Sequence, residues 1–445
     1  MTHPSSVAIA AQKAREASFG LASMTVDQRS YALSAMADAF LAKRDEILTE
    51  NQKDLDAAAE LVKKGEITAA AAKRLDLSGS KFDGMIESLR SVAALPDPLG
   101  QVQMATELDE GLKLYRVSCP IGVIGMIFES RPDALPQIAS LCLKSGNAVL
   151  LKGGSEAIHS NRILAHVLDA AAQSVGAPAG WIALLETRAE TAEMLKQDEY
   201  IDLLIPRGSN EFVRYIMDNT KIPVTGHRDG ICHVYLHSGA DADKALKIVV
   251  DSKCQYTSVC NAAETLLVDR GIVDTILPQV LDALYANGVE LRLDAESKAA
   301  YQKAKGTSPT GILDATETDW KTEYLDKIIS VRVVSDLDAA IEHINHYGSH
   351  HTDSIVTENS VAANTFTRRV DSACVFHNAS TRFADGFRFG FGAEVGISTA
   401  KLHSRGPVGL EGLTIYKYIL NGSGQIVADY VGPNAKKFTH RKIKE

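Results

Sequence analysis

Between Ile121 and Pro206 the sequence alternates short apolar runs with stretches of helical spacing, and this constrains the fold more than any other feature. Residues 121–128 read as a strand, 134–144 as a helix, and Ala148-Val149-Leu150-Leu151-Lys152 as a second strand. A helix over 161–174 and apolar runs over 181–185 and 201–206 continue the series. Apolar runs this short, set between turn residues, are read as buried strands. Strands that alternate with helices wind into right-handed βαβ units around a mostly parallel sheet. The pattern resumes after residue 231. Strands are expected over 232–236, 263–268, 328–334, 354–357 and 373–377, with helices over 243–250, 273–286, 337–347 and 360–369. The fold class is therefore α/β, in two successive units.

The flanks differ. Residues 7–95 are rich in alanine and carry apolar positions at helical spacing. Thr25-Val26-Asp27-Gln28 has the form of a capping box ahead of a helix over 32–48. Charges here, Lys53 and Asp54 among them, read as a solvated face. Residues 102–119 alternate around a Glu110-Gly111 turn, a hairpin signal. A similar alternation over 413–420 runs into Asn421-Gly422-Ser423-Gly424. The two pieces either pair into one small sheet, whose edge a second subunit could extend, or remain separate surface hairpins. Pattern alone does not choose. The lysine-bearing tail from Ala435 reads as frayed and solvated.

Composition excludes several classes. The 445-residue chain is long enough for two or three domains, and a net charge of −9 argues against binding nucleic acid. No apolar run approaches the roughly 20 residues that span a bilayer. The segment Met1-Thr2-His3-Pro4-Ser5-Ser6 lacks a basic, then apolar, secretory start. Six cysteines stand at 119, 142, 232, 254, 260 and 374, without C-x-x-C pairs or zinc-ligand spacing. A reduced, cytoplasmic protein without a metal is the expectation.

Chemistry is concentrated at three places. Lys152-Gly153-Gly154-Ser155-Glu156 follows one strand and opens a helix, and Arg207-Gly208-Ser209-Asn210-Glu211 does the same after another. Free N–H groups at such helix starts suit an anion, although neither segment is a dinucleotide fingerprint or a phosphate-binding Walker loop. The third place runs from Asp251 to Val268. There a polar, turn-prone segment delivers Cys260 just before the apolar run that begins at Ala263. A free cysteine is by default a small buried hydrophobe. A thiol in a polar connection, downstream of two candidate anion loops, instead has the setting of a covalent nucleophile.

These pieces resemble the aldehyde dehydrogenase superfamily, and within it the γ-glutamyl phosphate reductase family. The likeness rests on Pro120 to Asp133, Leu151 to Asn161, Cys254 to Glu264 and Gly392 to Tyr418, in the right order and across nearly the whole chain. It implies a Rossmann-type NADP(H)-binding domain (1–104 and 121–229), a catalytic α/β domain (230–410), and oligomerisation β-hairpins (105–120 and 411–432). It implies Cys260 as the nucleophile that becomes a thioester. Cofactor contacts fall on Lys152, Ser155, Gly208, Ser209 and Glu323, and substrate contacts on Ser130, Arg131, Arg382, His403 and Arg405.

Three departures from the wider superfamily refine what the resemblance implies. Ser155 stands where NAD-preferring relatives often carry a glutamate, which favours NADP(H) by removing repulsion against a 2′-phosphate. Arg131 stands in place of an oxyanion-hole asparagine and suits a phosphate or carboxylate. His227 replaces the glutamate that activates hydrolytic water, and is the candidate proton donor. The implied reaction is NADPH-dependent reduction of L-glutamyl 5-phosphate to L-glutamate 5-semialdehyde in proline biosynthesis. A homo-oligomer is implied, and the labile acyl phosphate points to glutamate 5-kinase as a partner. The rival readings are a hydrolytic, NAD-linked aldehyde dehydrogenase, which should carry a carboxylate near 227, and a non-catalytic scaffold on the same fold.

Overall fold

The computed structural model describes residues 5–128, 131–208, 210–226, 229–306 and 312–443. Four short apolar runs of the first unit form a parallel sheet in the order Ile182–Leu185, Ala148–Lys152, Val123–Ile127, Leu203–Pro206. The two inner strands are buried at all five positions, because helices cover both faces. Helices Ala134–Lys144 and Ile158–Ser174 share one core with the N-terminal helices, in which Leu33, Phe40, Ile124, Leu150, Leu164 and Trp181 are fully or almost fully buried.

The second sheet has seven parallel strands: Ile312–Asp314, Glu290–Leu293, Ile328–Val334, Ala263–Asp269, Cys232–Leu236, Thr352–Val356 and Cys374–His377. Strand Ala263–Asp269 lies at the centre and is buried throughout. Cys260 therefore sits on the connection that enters the central strand at its amino end. Lys152 and Arg207 stand at the carboxyl ends of strands of the first sheet, the edge where ligands of such sheets are expected. Cys260 lies instead at the amino-terminal edge of the second sheet.

Of the two alternatives for the hairpin-like pieces, the paired one is present. Val102–Asp109 and Leu112–Pro120 form an antiparallel hairpin, with Gly111 in the left-handed region (φ 70°) at its turn. Strand Thr414–Asn421 pairs along it, from Thr414 opposite Pro120 to Asn421 opposite Lys113. Two expectations are corrected here. After Asn421 the chain does not return as a second strand but enters a short 3₁₀ turn at Val427–Tyr430, so this piece is one strand and not a hairpin. The tail is also not frayed. Arg441–Lys442 pairs with Glu107 and Thr106, an Arg441–Glu107 ion pair supports the register, and the Tyr430 ring stacks on Phe438 at 4.4 Å.

The N-terminal helices do more than cover the sheet. Lys53 is exposed and paired with Glu50, but Asp54 is 2% exposed. Its carboxylate accepts from the Ser160 N–H (2.7 Å) and hydroxyl (2.6 Å) and from the His159 N–H (3.1 Å). Asp54 thus occupies the first N–H groups of helix Ile158–Ser174, acting from another helix as its cap. The chain behind Lys152 first forms a 3₁₀ turn at Ser155–Ala157, and the start of the helix that follows is taken up by a protein carboxylate.

Candidate active site

Helix Ala242–Cys254 ends at a polar loop that is closed by the Ala262 N–H bonding to the Val259 carbonyl (3.1 Å). Cys260 is half-buried in that loop. Gly230 packs against its backbone so closely that a Cβ at 230 would stand 2.1 Å from the Cys260 carbonyl oxygen. Cys232, at the start of the neighbouring strand, directs its thiol to the same carbonyl at 3.2 Å. His351 leads into the next strand, is fully buried, and places Nε2 3.2 Å from Cys260 Sγ. Its Nδ1 lies 2.8 Å from the Thr352 hydroxyl. Nothing in the sequence singles out His351, because it stands 91 residues from Cys260 and meets it only through strand pairing.

Cations gather around this thiol. Arg207 follows strand Leu203–Pro206 and lies within electrostatic reach of Cys260, Glu394 and Arg131; burial pulls its pKa down, and the Glu394 carboxylate opposes the shift. Arg382 is buried, donates from Nε to Gln255 Oε1 (2.9 Å), and also lies within reach of Cys260, with burial again lowering its pKa. Arg131 pairs with Asp133 at 2.9 Å, with Tyr256 and Glu394 nearby. Gly396 lies against the Arg207 side chain, so the glycine-rich loop that includes Gly390 to Ser398 does line this region.

On the far side of the Cys260 loop, Lys253 and Glu264 form a fully buried ion pair at 2.5 Å. Burial pushes the Glu264 carboxyl up to about 7, against the opposing pull of Lys253. Glu264 also accepts from the Leu325 N–H, and Ser258 donates to the Leu325 carbonyl, so segment 323–325 is fastened beside the Cys260 loop. Glu323 lies in this segment.

Lys152 stands in a separate cavity. A cavity of about 860 Å³ is lined by Lys152, Gly153, Gly154, Ser155, Arg188 and Phe212 among others. Gly153 is the constrained one: a Cβ there would meet the buried Asn161 Nδ2 at 2.2 Å, whereas one at 154 would meet only the flexible end of Glu156. Glu186, also on the wall, is held by two hydrogen bonds from Arg162. Arg188 is a cation of this cavity that sequence reasoning missed, as it begins a seven-residue helix with no motif around it.

A model of the aldehyde dehydrogenase family matches residues 2–300. Relatives named γ-glutamyl phosphate reductase are 56% identical over 432 residues in Methanosarcina barkeri (97% of this chain, 96% of the relative) and 54% identical over 438 residues in Acetivibrio thermocellus (98% of each). The chain belongs to the aldehyde dehydrogenase family. A crystal structure of γ-glutamyl phosphate reductase from Thermotoga maritima superposes with a TM-score of 0.89 at 38% identity, covering 95% of this chain and all of that one. The family assignment makes this chain an oxidoreductase with the α/β fold expected of it, and enzymes of this family use a nicotinamide dinucleotide.

The residues expected by resemblance to this family separate into groups. Cys260, Arg131 and Arg382 come together with Arg207, and Lys152 and Ser155 share the other cavity. Gly208 is exposed just beyond Arg207. Ser130, Ser209 and His227 lie outside the described residues. His403 and Arg405 line a different cavity of about 900 Å³, beneath strand Thr414–Asn421, and Arg405 is tied to Asp371 at 3.0 Å. Cys254 packs against the core of the second sheet, and burial raises its thiol pKa as it does that of Cys142.

Proposed function

We propose that this chain reduces L-glutamyl 5-phosphate to L-glutamate 5-semialdehyde and phosphate with NADPH, as a step of proline biosynthesis, through a thioester on Cys260. The observation that carries this reading is a half-buried thiol set among Arg131, Arg207 and Arg382. A substrate with a phosphate at one end and a carboxylate at the other needs several cations, and guanidinium groups bind both by paired hydrogen bonds. A hydrophobic aldehyde would need none.

The cavity around Lys152 fits a dinucleotide. Its glycines leave room that side chains would fill, Ile67, Leu75, Phe128 and Phe212 supply an apolar wall, and Lys152 and Arg188 supply positive charge. When bound, the reduced cofactor supplies hydride to the acyl carbon. Ser155 presents no charge against a 2′-phosphate, and Arg162 neutralises the nearby Glu186. Glu323, fastened beside Cys260 through the Leu325 contacts, serves as the nicotinamide-ribose ligand. The chain works as a homo-oligomer joined through its antiparallel sheet, and glutamate 5-kinase supplies the acyl phosphate.

The test is oxidation of L-glutamate 5-semialdehyde by NADP⁺ with and without inorganic phosphate. Strict dependence on phosphate, lost in Cys260→Ser while NADPH binding is kept, is the expected result. Acid release without phosphate would instead indicate a hydrolytic aldehyde dehydrogenase. Equal kcat/KM for NADH and NADPH would refute the role given to Ser155.

A further inference from the structure

A thiol of ordinary pKa, about 8.5, is mostly protonated at neutral pH and is then a poor nucleophile. The geometry points to His351 as the base that takes the Cys260 proton and returns it to the departing phosphate. It rests on the reading above for the identity of the leaving group only.

The proposed His351 tautomer carries its proton on Nδ1, and the contacts on each ring nitrogen accommodate it. Cys232 directs its S–H to the Cys260 carbonyl, so its sulfur can only accept toward His351 Nδ1, at 3.7 Å. Thr352 Oγ1 offers a second acceptor at 2.8 Å. With the proton held on Nδ1, Nε2 is a bare acceptor 3.2 Å from Cys260 Sγ. Nucleophile, base and orienting hydroxyl thus form a line from Cys260 through His351 to Thr352, the arrangement by which buried imidazoles activate thiols. The charged groups around the pair are Arg207 and Arg382, within electrostatic reach of Cys260, and Asp353 and Glu264, within reach of the adjacent Cys232.

The step balances within the acylation half-reaction. The Cys260 S–H bond breaks as the proton moves to Nε2, the sulfur forms a bond to the acyl carbon, and the carbon–oxygen bond to phosphate breaks. The proton on Nε2 then passes to that oxygen. A thioester and hydrogen phosphate result, and His351 is neutral again. No oxidant or reductant is consumed.

Alkylation of Cys260 by iodoacetamide, followed across pH by peptide mass, reads this step without substrate or cofactor. His351→Gln keeps polar contacts but cannot take a proton. The expected result is alkylation slowed at least tenfold near neutral pH and restored at alkaline pH, with NADPH binding unchanged. Thr352→Val, which removes the orienting acceptor, should give a smaller slowing in the same direction and covers the case in which the glutamine variant does not fold. An unchanged rate and pH profile in a folded variant of either kind would overturn the assignment. Failure of phosphate dependence alone would overturn the substrate reading and leave the base in place.

Discussion

Gly230 and Cys260 touch backbone to backbone: a Cβ at 230 would lie 2.1 Å from the Cys260 carbonyl oxygen and 2.4 Å from its Cα. Those atoms belong to the main chain and cannot rotate aside, so any side chain must displace the Cys260 loop. Displacements of about 1 Å at a reacting centre cost on the order of 10²-fold in rate. Gly230→Ala is therefore expected to lower kcat by one to two orders of magnitude, while the cofactor cavity still binds NADPH. Steady-state kinetics with a fluorescence titration of NADPH check this, and a variant with near-wild-type turnover would refute it.

Asp54 closes the start of helix Ile158–Ser174 from a different helix, accepting three hydrogen bonds while 2% exposed. Removing its carboxylate leaves buried donors unpaired, at about 1–3 kcal/mol for each such group. Asp54→Ala is expected to lower the thermal midpoint by several degrees. Because the helix begins directly behind Lys152 to Ala157, it should also raise the KM for NADPH more than it lowers kcat. Equal effects on both parameters would mean that the helix does not hold the cofactor loop.

Asp54 also marks where sequence reasoning stops. The strands at Ala148–Lys152 and Cys232–Leu236 and the helices at Ala134–Lys144, Leu337–Tyr347 and Ser360–Arg369 lie where the pattern puts them, because local periodicity encodes burial against a sheet. Strands Glu290–Leu293 and Ile312–Asp314 escaped, being too short and too polar to carry that pattern. Cys260 stood out from its polar connection and its family likeness. His351 did not, since its role arises from a parallel neighbour two strands away, and the ordered tail did not, since its partner Glu107 lies far back in the chain. Long-range pairing leaves no mark on local composition.

Asp319 fastens the segment that carries Glu323. It accepts from Arg292 (2.6 Å), the Tyr324 hydroxyl (2.7 Å) and Thr316 (2.7 Å). Burial alone would raise its pKa, but the hydrogen bonds from Thr316, Arg292 and Tyr324 outweigh it and hold the carboxyl well below the ordinary range. The folded state therefore keeps Asp319 ionised at a pH where the unfolded chain protonates it. The stabilisation is fully present above about pH 5 and is lost as pH falls through the folded value. Asp319→Asn should be less stable than the wild type at neutral pH by about 1–3 kcal/mol. The difference should shrink on acidification, as urea unfolding across pH will report; a constant gap would refute the linkage.

Strand Thr414–Asn421 has one edge paired with Leu112–Pro120 and, among the described residues, no partner on the other. Ile415, Tyr416, Tyr418, Ile419 and Leu420 are all exposed on it, between 37% and 57% of their area. A long apolar edge strand left open invites another strand, and soluble proteins rarely leave one bare. A second copy of the chain that adds its own edge here would cover these side chains and extend the four-stranded sheet. Leu420→Lys places a charge on that exposed face near the end of the strand, at a position opposite Leu114 in the existing pair. Its expected effect is to weaken self-association by at least 100-fold, about 2.7 kcal/mol. Sedimentation equilibrium at micromolar concentration measures this. A variant with the wild-type mass, or a wild type that is itself monomeric, would place the oligomer contact elsewhere or remove it.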